Sequence, residues 1–351
     1  MAQAERILVV GPAWVGDMVM AQSLFITLRA QHPGASIDVL APAWSKPILA
    51  RMPEVDEAVT LPAGHGELGL GARWRLGRSL RTRDYARAIV IPRSLKAALV
   101  PWFARIPRRT GYRGEFRYGV LNDIRPLDKT VLTQTVQRYV ALGRPRDAVL
   151  PPPVPRPHLR IDEVNRTRQL HALGLELDRP VVALMPGAEY GPAKRWPPAS
   201  FSRVAQGLAD AGYRIWLLGS EKDRAIAETI RAPVGDAAVN LCGRTRLEDA
   251  IDLLSLAQAA LTNDSGLMHV AAAVGIPLVA IYGSSTPAYT PPLSERARVV
   301  YLGLECSPCF ERTCPLGHLN CLRQITPERI LTEVEQLLGR KAADSLQRTD
   351  Q

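Results

Sequence analysis

The chemistry this chain could perform is concentrated in four short segments. The first, Gly11-Pro12-Ala13-Trp14-Val15-Gly16-Asp17, leaves an apolar run and enters a helical one. It lacks the G-x-G-x-x-G spacing whose glycines let a pyrophosphate approach the backbone, which argues against a dinucleotide-dependent oxidoreductase. It offers a carboxylate instead, Asp17, at the expected C-terminal edge of a strand. Asp is a favoured helix N-cap and suits the positive end of the helix dipole, so a structural role competes with that of a general base. Capping bonds would lower the carboxylate pKa and weaken such a base, a handicap that matters least where the proton leaves late.

The second segment, residues 186–197, is rich in Gly and Pro and ends in Lys194-Arg195-Trp196-Pro197. Backbone donors followed by cations suit a diphosphate, while a surface turn with two solvated cations is the plainer alternative. The third is Thr262-Asn263-Asp264-Ser265-Gly266-Leu267-Met268-His269, a strand end running into a helix start. N–H groups at such a start bind anions, and Ser265 and Gly266 permit close approach; Asp264 is expected to cap the helix. His269 lies a turn further on among apolar residues, where a satisfied core histidine competes with a ligand contact. The fourth is Cys306-Ser307-Pro308-Cys309 with Cys314, His318 and Cys321. One C-x-x-C followed by unpaired spacing makes a structural metal site the minority expectation and a reduced, loop-forming segment the majority one.

Positioning these segments requires strands that end where they begin. Apolar runs at residues 7–10, 36–40 and 88–91, with a helical stretch from about Asp17 to Gln31, show the βαβ rhythm of a parallel sheet. The rhythm restarts at residues 181–185, 215–218, 259–261 and 277–282, and a last helix is expected over residues 327–338. A length of 351 residues suits two domains at about 150 residues each. The proline-rich stretch 150–157 reads as the linker, giving domains at 1–155 and 156–340 and a polar tail at 341–351. Two α/β domains of the doubly wound class are expected to face each other across a cleft, with ligands beyond the strand ends.

The formal charge of +10 points to anionic partners, and the arginines crowd the first half of the chain, so the basic surface is assigned to the N-terminal domain. A nucleic-acid-binding protein is one reading of that charge. No recognition module or interleaved set of stacking aromatics accompanies it, so nucleic acid is not expected as a partner. The N-terminus does not read as a secretory signal, and no apolar run reaches the roughly 18 residues of a spanning helix. The expected location is cytoplasmic, with the inner face of a membrane within reach.

Taken in order, these motifs, with Gly111-Tyr112-Arg113-Gly114-Glu115-Phe116-Arg117-Tyr118, resemble those of the bacterial ADP-heptose:lipopolysaccharide heptosyltransferases over nearly the whole chain. The resemblance implies a GT-B architecture with an acceptor-binding N-terminal and a nucleotide-sugar-binding C-terminal domain. It also implies inverting transfer of L-glycero-D-manno-heptose from ADP-heptose, with no cofactor and no metal. The most similar members add to an acceptor of lipid A, Kdo and one heptose; addition of the first or a later heptose is the alternative. Carried over by residue, the base falls on Asp17 and the donor contacts on Lys194, Asp264, Ser265, Gly266, Leu267 and His269. Arg93, Lys96, Arg113 and Arg117 fall on the acceptor side, where Arg93 replaces the family's Asn. Such an enzyme would sit peripherally on the anionic cytoplasmic face of the inner membrane.

Overall fold

The structure, a computed structural model, describes residues 5–62 and 67–339. The chain divides between Arg160 and Ile161 into two compact units. The expected tail, 341–351, lies outside the described residues.

The first unit is a six-stranded parallel sheet of β1 (Arg6–Val10), β2 (Ser36–Ala41), β3 (Glu57–Thr60), β4 (Arg87–Val90), β5 (Arg108–Tyr112) and β6 (Asp123–Arg125). Its spatial order is β3-β2-β1-β4-β5-β6. The helices are α1 (Val15–Gln31), α2 (Lys46–Leu49), α3 (Leu70–Ser79), α4 (Leu95–Phe103) and α5 (Thr135–Gly143). Leu8, Val10, Val90, Ala97 and Val100 share one core cluster, which places α4 on one face of the sheet. Strand alternation sends Ile7 and Val9 to the other face, and both are fully buried. Helices α1 and α5 pack so closely that a Cβ on Gly143 would lie 2.4 Å from the Leu24 side chain.

The proline stretch is fastened to this unit beyond its expected end. Ser23 donates to the Pro155 carbonyl at 2.6 Å, Gln22 exchanges hydrogen bonds with both main-chain groups of His158, and Arg160 N–H donates to Arg51. The unit boundary falls five residues later than composition suggested, and the contacts beyond Pro155 are made by His158 and Arg160.

The second unit repeats the plan with β7 (Val181–Met185), β8 (Arg214–Leu217), β9 (Ala238–Asn240), β10 (Ala257–Asn263), β11 (Leu278–Tyr282) and β12 (Ala297–Tyr301). The order is β12-β11-β10-β7-β8-β9, again all parallel. Its helices are α6 (Glu163–Leu173), α7 (Pro198–Asp210), α8 (Arg224–Arg231), α9 (Leu247–Leu254), α10 (Gly266–Val274), α11 (Asn320–Arg323) and α12 (Pro327–Leu337). Trp196, Phe201, Leu208, Ile215, Ile330 and Val334 pack in one core. Trp196 donates its indole N–H to Ile325, which resolves the polar end of a fully buried ring.

In both sheets the order reverses beside the central strand, at β1/β4 and at β7/β10. Loops leaving neighbouring strand ends diverge there and leave space for a ligand. No helix among the described residues is long and apolar enough to cross a membrane.

Candidate active site

At the C-terminal edge of the first sheet, β1, β4 and β5 are neighbours, so the loops after Val10, Val90 and Tyr112 lie side by side. Asp17 is half-buried and is the third residue of α1. It is not the N-cap: that position belongs to Trp14, whose backbone is extended and whose side chain makes no capping bond. The carboxylate stands in the first turn, where the dipole favours negative charge, without being committed to the cap itself.

Arg93 and Arg113 line a cavity of about 650 Å³ together with Ser94, Gly114, Glu115, Phe116 and Tyr118. Phe116 is 91% exposed and Tyr118 63%. Gly114 is needed for the close approach of the two loops, since a Cβ there would lie 2.3 Å from the Arg93 carbonyl oxygen. Glu115 accepts the Leu95 N–H at 2.8 Å and so caps α4 from another loop, where Ser94 makes no capping bond of its own.

Two expected acceptor-side residues stand elsewhere. Arg117 is 1% exposed and spends its guanidinium on the carbonyls of Pro92, Ser94 and Tyr112. Burial, with the charge of Arg93 adding, draws its pKa down to about 10. It ties the β4 loop to the end of β5 and supports the cavity from beneath. Lys96 is half-buried on α4 and does not line the cavity. Arg73 is likewise buried and donates to Leu68, so the arginine-rich half is not all surface.

At the corresponding edge of the second sheet, Lys194 Nζ lies 2.5 Å from Asp264 Oδ2, the two side chains being 17% and 5% exposed. Ser285, on the loop after β11, donates to the same oxygen. Asp264 therefore does not cap α10: the N-cap is Ser265, whose side chain makes no capping bond. Ser265, Gly266 and Leu267 are partly exposed, so the first turn of α10 offers its N–H groups beside the lysine. Asn263 links the two loops, accepting the Trp196 N–H at 3.0 Å and donating to the Pro186 carbonyl at 2.7 Å. His269 is buried, and loss of solvation lowers its pKa to about 4, the carboxylate of Asp264 opposing and the charge of Lys194 adding. Its Nδ1 and the buried Ser284 Oγ have no hydrogen-bond partner.

The cysteine segment buttresses this edge. Arg312 O accepts the Ala193 N–H at 3.0 Å, Phe310 N–H donates to Ser284, and Tyr190 Oη donates to Phe310 O. A Cβ on Gly191 would lie 2.5 Å from the Arg312 carbonyl, so the contact demands glycine. Lys194 and Arg312 both lie over the Tyr190 ring, at 5.1 and 5.4 Å. All four thiols, Cys306, Cys309, Cys314 and Cys321, are free. Burial first, and then the other three sulfurs, raise the Cys321 pKa. Among the described residues no group of three or more His, Cys, Asp or Glu side chains is arranged to hold a metal ion.

Ser285 and Arg312 were absent from the expected site, and Asn263 stood in it without a role of its own. Ser285 had a legible signal, since it follows an apolar strand by three residues, where α/β ligands bind. Arg312 had none, because its part is played by a main-chain carbonyl.

Both doubly wound sheets carry charged loops at the C-terminal strand edge, one a carboxylate and open cations and the other a lysine at a helix start. The profile of glycosyltransferase family 9, the heptosyltransferases, matches residues 73–320, and the chain belongs to that family. Lipopolysaccharide heptosyltransferase 2 of Escherichia coli K12 is 47% identical over 96% of this chain and 100% of its own. Lipooligosaccharide heptosyltransferase 2 of Haemophilus influenzae is 44% identical over 95% and 100%. The solved structure of E. coli ADP-heptose lps heptosyltransferase II superposes with a TM-score of 0.85 at 45% identity, covering 95% of this chain and 98% of that one. The fold is accordingly GT-B and the protein is a glycosyltransferase.

Proposed function

We propose that the chain transfers L-glycero-D-manno-heptose from ADP-heptose to the first heptose of the lipopolysaccharide inner core, with inversion at the anomeric carbon. The observation that carries this is the Lys194 and Asp264 pair beside the start of α10, in a chain similar over 95% or more of its length to proteins named heptosyltransferase 2. A lysine fixed by a buried carboxylate meets a diphosphate without having to be ordered at the moment of reaction. Ser265, Gly266 and Leu267 add backbone N–H donors to the phosphates. His269 stands behind them as a neutral imidazole.

Asp17 takes the proton from the acceptor hydroxyl as that oxygen bonds to the anomeric carbon and the bond to ADP breaks. No covalent intermediate is needed for inversion, so one base suffices. The cavity lined by Arg93 and Arg113 suits an anionic acceptor, whose Kdo carboxylates can pair with guanidinium forks while Phe116 and Tyr118 cover sugar faces. Lys96 contributes positive potential from α4 and Arg117 holds the loops. The reaction requires no cofactor or metal. Because the acceptor is lipid-linked, the enzyme works peripherally at an anionic membrane surface on the cytoplasmic side.

The test offers ADP-heptose with two acceptors, lipid A bearing Kdo alone and the same molecule already carrying one heptose. A mass gain of one heptose on the second alone is expected. Gain on the first alone would reassign the enzyme to the first transfer.

A further inference from the structure

One surface of the first unit combines cations and exposed apolar side chains that the reaction does not use. Along α3, Leu70 and Trp74 stand four residues apart and so share a face, with Leu68 just before them; the three are 51%, 42% and 54% exposed. Arg78, one turn on, lies over the Trp74 ring at 4.9 Å. Arg81, in the turn that follows, donates to Phe103 O at the end of α4. There Trp102 is 44% exposed and packs against Phe103, and Arg105 follows directly. Helices α3 and α4 are in contact, since a Cβ on Gly77 would lie 2.4 Å from Phe103 Cβ. The residues therefore form one continuous strip.

Carboxylates stand only at the sequence borders of this strip, at Glu67, Asp84 and Glu115. Residues 68–83 and 94–114 contain no Asp or Glu. Among the described residues, Arg75, Arg78, Arg81 and Arg105 are exposed and form no ion pair. Arg81 feels the crowding: lost solvation and then the charges of Arg105 and Arg78 lower its pKa. Elsewhere in the unit comparable arginines are matched, Arg83 by Glu57 and Arg29 by Asp56.

We propose that this strip, formed by α3, the turn after it and the end of α4, is the face that docks the enzyme on an anionic lipid bilayer. This rests on the lipid-surface reading above and deepens it by naming the face. Half-exposed indoles suit the headgroup level of a bilayer, leucines on the same face enter the acyl boundary, and unpaired arginines meet lipid phosphates. Exposed leucines have no role in binding a polynucleotide, which argues for lipid over nucleic acid. Helices α3 and α4 both start at the sheet edge that carries the Arg93 and Arg113 cavity and run back along the sheet, so the strip extends from that edge at Leu68 and Leu70 to the opposite one at Arg81 and Arg105.

The experiment measures partitioning of the full chain onto phosphatidylcholine vesicles with and without phosphatidylglycerol. Wild type is expected to bind the anionic vesicles and to be released by salt. At low salt Arg78→Gln/Arg105→Gln should weaken binding at least about tenfold, and Trp74→Ala/Trp102→Ala by a similar factor. Arg179→Gln/Arg203→Gln in the second unit, which removes equal charge, should change it less than about twofold. Thermal midpoints and turnover on an acyl-free acceptor should be retained by the arginine pair, whose exposed guanidinium groups hold no part of the fold together. If wild type shows no preference for anionic vesicles, the lipid-surface reading itself falls. If wild type binds and the strip variants match the second-unit control, the reading stands and the face assigned here is wrong.

Discussion

The two candidate edges are built from similar loops on similar sheets, yet they are finished differently. At the proposed donor edge the charged groups are paired, with the carboxylate buried: Asp264 holds Lys194 and Ser285, and Asn263 clamps the neighbouring loop. At the proposed acceptor edge Arg93, Arg113, Phe116 and Tyr118 stand in solvent, and only Arg117 beneath them and Glu115 beside them are locked. A diphosphate is small and always the same, so preorganised donors repay their cost in the transition state. A branched, lipid-linked sugar is large, and open cations with aromatic faces accommodate it at the expense of order. Substitutions should therefore alter turnover and stability at the first edge and acceptor affinity at the second.

The largest effect is expected at Asp17, the proposed base, which stands in the first unit. Asp17→Asn should lower turnover by about 10²–10⁴-fold, as loss of a general base does. Because Trp14 occupies the N-cap, the thermal midpoint and ADP affinity should barely move. A folded Asp17→Asn enzyme with near-normal turnover would return Asp17 to a structural role.

Lys194→Ala sharpens the preorganisation argument, since it strands a carboxylate that is 5% exposed. It should reduce turnover more than ADP affinity and cost about 3 kcal/mol of stability, as breaking a buried pair does. Lys194→Ala/Asp264→Asn should recover much of the stability and none of the rate. Equal stability of the single and double variants would show that the pair is not what orders this edge.

His269 provides a pH test of the same buried edge. Its folded pKa of about 4 lies below the unfolded value, so between pH 6.5 and pH 4 the unfolded chain binds more protons than the folded one. Stability should fall as pH drops through that window, by at most about 3 kcal/mol from this group, and His269→Gln should flatten the slope. Urea midpoints from pH 7 to pH 4 measure it; parallel slopes in the two proteins would mean that the imidazole protonates without penalty.

The smallest effect is expected at the open edge. Arg113→Ala should raise the acceptor Michaelis constant by roughly tenfold, with turnover and stability little changed, as removal of an exposed charged contact does. A fall in turnover with no change in the constant would break the contrast between the two edges.

How far the sequence alone reached can be argued from particular elements. The strands at 6–10, 181–185 and 278–282 were legible because a strand buried on both faces needs an unbroken apolar run. Edge strands β9 and β12 and the short β6 were not, since three residues or an exposed face leave no such run. Lys194 and Asp264 were legible because they stand beside strand ends, and a parallel sheet gathers its strand ends on one edge whatever the loops contain.

Only the tertiary structure decided what each charged group does. Local spacing made Asp17 and Asp264 helix caps, but Trp14 and Ser265 hold those positions, and the Asp264 carboxylate is claimed by a lysine seventy residues away. Arg113 and Arg117 are equal in sequence, yet one lines a cavity and the other is buried against three carbonyls. The residue types and their order determined the strands, the crossovers and therefore which loops share an edge. The partner of a charge depends on side chains brought close by the packing of distant segments, which no local pattern encodes.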